Sequence, residues 1–411
     1  MSILAATESE LATAGEESEA AVSAKADTGR GRLNPGTARR ILRWSAILAW
    51  ALGIGYWIRR DGVSFDRNTV LIYICTGLLA ASVGRRQGWT VLRDWLPFAA
   101  VLLVYDLSRG AAEALGRPTE WYFQMDFDRV LFRVEPTVWL QSKLKEPFAP
   151  WWEVGVSIVY VSFFFAPYLV AGLLWLRDRP AWRQFVFQFV AVSFIGLAGF
   201  IAVPAAPPWA ASLCSAEQVA GGPSDPACMY ADPDKVGSAG ILGQVRPENP
   251  GAAAYVERIS GRGWDRLGLE RAKALLDQGQ AGVNQVAAVP SLHAAVTGLI
   301  TVFFWRRVRR RWRPLLAGYS LAMAFALVYS SEHYVFDILL GWVVTAVVTI
   351  GFGRWQRSRS RAGVEARQAG ADREQAGADR EQAGPDRERA CDGKEPVRAT
   401  DTLDGSSPTR S

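Results

Sequence analysis

Long apolar runs alternate with short, arginine-bearing polar breaks over most of the chain, and this pattern predicts membrane-spanning helices. A hydrocarbon core about 30 Å thick takes roughly 20 mostly apolar helical residues. Runs that approach this length lie at about 41–58, 69–83, 91–107, 152–176, 184–203, 287–305, 314–330 and 334–353. The second and third are short. They count as a pair, so their loss leaves the sidedness of everything downstream unchanged. The expected fold is all-α, a polytopic membrane helix bundle of about 6–8 transmembrane helices with disordered cytoplasmic tails.

The polar stretches divide the chain further. Residues 1–38 are rich in Ala, Glu, Ser and Gly, have no apolar periodicity and read as a disordered arm. Their acidic start, with the first apolar run only near Ile41, fits an uncleaved anchor better than a secretory signal. Residues 39–120 hold the N-terminal helices, and 121–353 form the main membrane domain with a large outer loop at 204–287. The tail, 354–411, repeats QAGADRE, QAGADRE and QAGPDRE from Gln368 to Glu388. No repeat position carries a large apolar residue, so a coiled coil is not expected and the tail reads as solvated and disordered.

Charge assigns the sides. With an interior N-terminus, the inside segments carry Arg39, Arg40 and Arg43, then Arg85, Arg86 and Arg93, then Arg177, Arg179 and Arg183. The run RRVRRRWR, Arg306 to Arg313, and Arg354 to Arg361 follow on the same side. Basic residues hold short loops in the cytoplasm, which fits N-in, C-in. The short outer loop with Arg59, Arg60 and Arg67 departs from this rule. Two long segments fall outside. The first, about 108–151, offers Trp121, Phe127, Trp139 and Phe148 to helices lying at the interface. The second is ended off from its preceding helix by Pro204, Pro207 and Pro208. Loops of this size are usually functional. Its Cys214 and Cys228 face an oxidising space, as a disulfide or as two thiols.

Composition narrows the function. A chain of 411 residues with 4 Cys is no small disulfide scaffold, and 50% hydrophobic residues exclude a wholly disordered one. The net charge of +6 beside long apolar runs points to a lipid bilayer and not to nucleic acid. Only two histidines occur, so imidazole chemistry rests on His293 and His333.

The topology brings both to one face. In AAVPSLHAAV, Pro290 and Ser291 stop the chain and cap a helix, so its free N–H groups and positive dipole end make an anion site next to His293. In YSSEHYVFDILLGW, His333 and Asp337 are four apart and share a helix face, where the carboxylate can accept the imidazole N–H and fix its tautomer. Asp337 lies in an apolar run, where insertion costs about 2.5–3.5 kcal/mol, which marks it as functional. One oriented imidazole to attack phosphorus, and a second to protonate the leaving oxygen, is what phosphoryl transfer through a phosphohistidine needs. Arg246, Arg258, Arg262, Lys235, Lys143 and Lys145 are the outer cations able to neutralise the phosphate.

Pro290-Ser291-Leu292-His293 with His333-x-x-x-Asp337 and a large preceding outer loop resembles the type 2 phosphatidic acid phosphatase superfamily of membrane enzymes. The stretches PAAPPW, VERISGRGW, VNQVAAVPSLHAAV and EHYVFDILLGW look most like its aureobasidin-resistance inositolphosphotransferase branch, over roughly Tyr122 to Gly353. The resemblance implies that His333 is the nucleophile, Asp337 its orienting partner and His293 the acid, with Ser291 and nearby N–H groups on the phosphate. The family's basic first motif is absent in its usual form, and its third-motif Arg falls at Leu327, so Arg258, with Arg246 behind it, is the expected clamp. The substrate implied is a lipid or isoprenoid phosphate at the extracytoplasmic face, with either water or an alcohol as acceptor. No cofactor or metal is expected, because the histidines lack HExxH or Cys-based spacing. The alternative is a transporter or scaffold with His333 and Asp337 as a proton relay, but no internal repeat is present and the ionisable cluster sits near one face.

Overall fold

The computed structural model describes residues 34–62, 67–85, 88–108, 115–232, 240–281 and 285–391. They fall into two compact units, one ending at Thr349 and one beginning at Ile350. Among the described residues the architecture is helical, with isolated bridges in place of strands. Of the predicted arm at 1–38, residues 1–33 lie outside the described residues, whereas 35–38 already belong to a helix.

The predicted apolar runs all become helices. The first three are α1 (Pro35–Asp61), α2 (Arg67–Ser82) and α3 (Gly88–Ser108). Pro35 sits where its missing N–H is no loss, and the Asn34 side chain accepts from Gly36 N–H at 3.3 Å, so the start of α1 is written locally. Two short helices follow, α4 (Phe123–Phe132) and α5 (Pro136–Leu144). Then come α6 (Trp151–Arg177) and α7 (Arg179–Ala202), separated by Asp178 alone. That aspartate ends α6 and caps α7, accepting from Ala181 N–H at 3.0 Å ahead of Pro180. The 204–287 loop contains α8 (Pro208–Leu213), α9 (Arg262–Arg266) and α10 (Glu270–Ala281), and it is followed by α11 (Leu292–Trp305), α12 (Arg313–Tyr329) and α13 (Val335–Cys391). The helix expected from residue 287 begins only at Leu292, because Pro290 and Ser291 hold the chain out of it.

Among the described residues, four helices are long and apolar enough to cross a membrane: α1, α6, α7 and α13. The protein is a multi-pass membrane protein. The main apolar core joins α3, α6, α7 and α11 through Trp95, Trp175, Phe185, Phe189, Leu299 and Phe303. A second cluster joins α6, α12 and the start of α13 through Tyr160, Met323, Leu327 and Ile338. The helices of these two clusters turn one stripe inward and leave apolar side chains such as Leu169, Phe187 and Val343 outward, as a helix solvated by lipid requires.

Ala205 bridges in parallel to both Glu120 and Ala287, so the two ends of the 204–287 loop are pinned together and tied to the segment before α4. Cys214 and Cys228 form a disulfide in this loop. Of the aromatic residues expected at the interface, Phe127, Trp139 and Phe148 are exposed, whereas Trp121 is only 2% exposed. Its indole N–H donates to the Pro223 carbonyl at 3.2 Å, which explains its burial in the cluster formed by this loop.

In the second unit, α13 continues through the QAGADRE repeats to Cys391, where the sequence predicts a tail without regular structure. Ala, Gln, Glu and Arg dominate these residues and have high helix propensity, and the described side chains beyond Arg357 are exposed. Phe352 packs on Trp355 at 5.5 Å, and the Arg359 guanidinium lies 4.7 Å from the Trp355 ring.

Candidate active site

The two loops predicted to converge do so. His293 and His333 lie with ring centroids 5.7 Å apart, although forty residues separate them in sequence. Each owes its place to local structure. Ser291 caps α11, accepting from Ala294 N–H at 3.3 Å, and this sets His293 in the first turn. His333 precedes α13 in a tight turn whose Ser331 has φ 60°, and the N–H groups of Glu332 and His333 return to the Leu327 carbonyl. The loops are bonded to each other, since Ser291 N–H donates to the Asp337 carbonyl at 3.0 Å.

Asp337 is fully buried and holds His333 at Nδ1 through Oδ2, 3.4 Å away. The same oxygen accepts from Tyr334 N–H at 3.0 Å. This leaves Nε2 of His333 as the free ring nitrogen. His293 lives differently. Tyr160 of α6 stacks on it at 5.0 Å and 19°, and Phe163 approaches to 4.0 Å. Its Nε2 is buried with no hydrogen-bond partner among the described residues.

The expected clamp, Arg258, belongs to this constellation. Its Nε and Nη2 each donate at 2.9 Å to the two oxygens of Glu332, the residue before His333. The guanidinium also lies 4.8 Å from the Trp209 ring. Such a fork-to-fork pair fixes the guanidinium plane and leaves Nη1 free for another anion. Glu332 is held further by the Ser260 hydroxyl at 2.8 Å and by Gln280 Nε2 at 3.1 Å. Burial opposes ionisation of Glu332, but Arg258 and Ser260 hold it below the usual carboxylate range, and the Arg258 charge is reinforced in return. Gln280 also donates to Tyr160 OH at 2.9 Å, so one bonded chain runs from Arg258 to the ring stacked on His293.

The remaining candidates divide. Arg246 is exposed, and the structure does not bring it into this network. Lys143 pairs with Glu248, Lys145 is buried against the Tyr255 carbonyl and Glu257, and Arg262 pairs with Glu153 and Glu257. These three brace the outer segments. Lys235 lies outside the described residues. No group of His, Cys, Asp and Glu able to hold a metal ion occurs among the described residues.

Sequence reasoning missed Glu332, Ser260, Gln280, Tyr160 and Asp128. Two of them carried a signal: Glu332 adjoins His333, and Asp128 stands in the apolar stretch FQMDFDRVLF. The other three are ordinary polar residues that only the fold brings near. Asp128 is fully buried and accepts from Val335 N–H at 2.7 Å and Phe336 N–H at 3.0 Å, the first turn of α13.

The family model described as PAP2 superfamily matches residues 126–351, just over half of the chain. The chain is also similar to phosphoinositol dihydroceramide synthase of Bacteroides thetaiotaomicron, 26% identical over 253 residues, covering 60% of this chain and 71% of the relative. No solved structure matches the chain.

Proposed function

The chain belongs to the PAP2 superfamily, and from this we propose that it transfers a phosphoryl-linked group from a lipid or isoprenoid phosphate through a phosphohistidine on His333 at the extracytoplasmic face. It is a membrane phosphoryl-transfer enzyme of the lipid phosphatase and phosphotransferase type. The observation that carries the phosphohistidine reading is the pairing of His333, oriented by Asp337, with His293 at 5.7 Å and Arg258 beside them.

In this reading, Asp337 accepts the Nδ1 proton of His333, and Nε2 attacks phosphorus as the bond to the lipid oxygen breaks. His293 gives that oxygen its proton and then takes one from the incoming water or alcohol. Arg258, held by Glu332, and the N–H groups at the start of α11 face the charge that gathers on the phosphate oxygens. Residues 121–353 form the catalytic domain, and the cytoplasmic termini follow from the arginine-rich breaks. The similarity to a phosphoinositol transferase favours an alcohol as acceptor. The test is turnover of a labelled lipid phosphate by the purified, detergent-solubilised protein. His333→Ala is expected to lose it, and retained turnover overturns the assignment.

A further inference from the structure

The helix that carries Asp337 lacks a cap of its own. The residue before α13 is Tyr334, whose side chain cannot accept from the first-turn N–H groups as Ser, Thr or Asp would. Those groups are nevertheless satisfied. Tyr334 N–H goes to Asp337, while Val335 and Phe336 N–H go to the two oxygens of Asp128, 207 and 208 residues away in sequence. A carboxylate at this position also meets the positive end of the helix dipole.

The same short helix grips α13 on its apolar side. Phe336 packs edge-on against Phe123 at 5.1 Å and Phe127 at 5.0 Å, both from α4, the helix of Asp128. The first turn of α13 is in turn bonded to the His293 loop through the Asp337 carbonyl and Ser291 N–H. A shift of this turn therefore moves Asp337, His333 and the start of α11 together.

Resting on the phosphohistidine reading above, we propose that Asp128 is a positioning residue: its ionised carboxylate caps α13 from outside and sets the Asp337–His333 pair for attack. Protonated, it keeps at most one good acceptor for two N–H groups, so the catalytic turn loosens in acid. The groups facing it are Asp337 and Tyr334 from α13 and its lead-in, Glu135 before α5, and Arg129 of α4. Burial raises the Asp128 carboxyl to about 6 against the two N–H groups that lower it, with Asp337 adding to the rise. Arg129 is committed to the Ile241 and Leu242 carbonyls at 3.3 and 3.1 Å.

The experiment uses the full-length protein in detergent with a labelled lipid phosphate. Asp128→Asn replaces one acceptor by an amide N–H, and kcat is expected to fall about tenfold to 10²-fold with KM changed less than about threefold. In the wild type the acid side of the kcat profile is expected to include a protonation near pH 6, because Asp128 must be ionised. In Asp128→Asn that contribution is expected to be absent. Val335→Pro is the second variant, since proline fits the first helical position and removes the N–H that Oδ2 accepts. Losing that donor raises the Asp128 pKa, so its acid limb is expected to move to higher pH. An unchanged kcat in Asp128→Asn, an effect confined to KM, or the same acid limb in all three proteins overturns the proposal. Turnover retained by His333→Ala instead overturns the phosphohistidine reading itself, which separates the two failures.

Discussion

The loop carrying His333 is crowded with carboxylates, whereas the loop carrying His293 is walled by aromatic rings. Asp337, Glu332 and Asp128 all bear on the first, through the imidazole, the preceding residue and the following helix turn. Tyr160 and Phe163 enclose the second, whose Nε2 has no partner among the described residues. The same side chain is thus held rigidly in one place and only packed in the other. A nucleophile needs a fixed tautomer and direction, while an acid–base group must pick up and release a proton each cycle. The contrast matches the division of labour proposed for them.

The sharpest way to break this contrast is to remove the packed partner. His293→Ala should lower turnover by about 10²–10⁴-fold, the usual contribution of a general acid, while still forming phosphoenzyme from a substrate with a good leaving group. Equal loss with both substrate types would contradict the acid role. Next in size, Arg258→Lys should lower turnover by about 10²–10³-fold, because an ammonium cannot make the two-pronged bond to Glu332 that fixes the guanidinium plane. Activity within threefold of wild type would remove Arg258 from the clamp.

The carboxylates of the His333 side also have a stability signature. Burial raises Glu135 to about 7 against the lowering effect of Val138 N–H, so its folded value lies above its unfolded one. The folded state then binds the extra proton, and stability falls as pH rises from about 4.5 to about 7, on the order of 3 kcal/mol at most. Glu135→Gln should flatten that fall in thermal unfolding scans, and an unaltered slope would show that Glu135 does not titrate in this window. On the His293 side the effect is smaller. Ser291→Ala removes the α11 cap and should cost about 1 kcal/mol, read as a lowered Tm.

Much of this was legible in the sequence for a physical reason. Apolar length reports lipid contact directly, and the runs at 152–176 and 184–203 became α6 and α7 within a few residues. The histidines followed because topology fixes which helix ends share a face, and the i, i+4 spacing of His333 and Asp337 is a local fact. Arg258 came from the family resemblance, and the structure ties it to Glu332. What stayed hidden depends on contacts far apart in sequence. Gln280 meets Glu332 across 52 residues and Asp128 meets Val335 across 207, and no periodicity encodes such pairs. Trp121 looked interfacial because an indole suits the membrane surface, yet it also fits a folded cap that supplies an acceptor.

The most direct test of His333 as the nucleophile is a rapid quench of the wild-type protein with substrate labelled at phosphorus, followed by peptide mapping. The account predicts acid-labile, base-stable label on the peptide containing His333, absent in His333→Ala and longer-lived in His293→Ala. Label on another residue, or label that persists in His333→Ala, would contradict it.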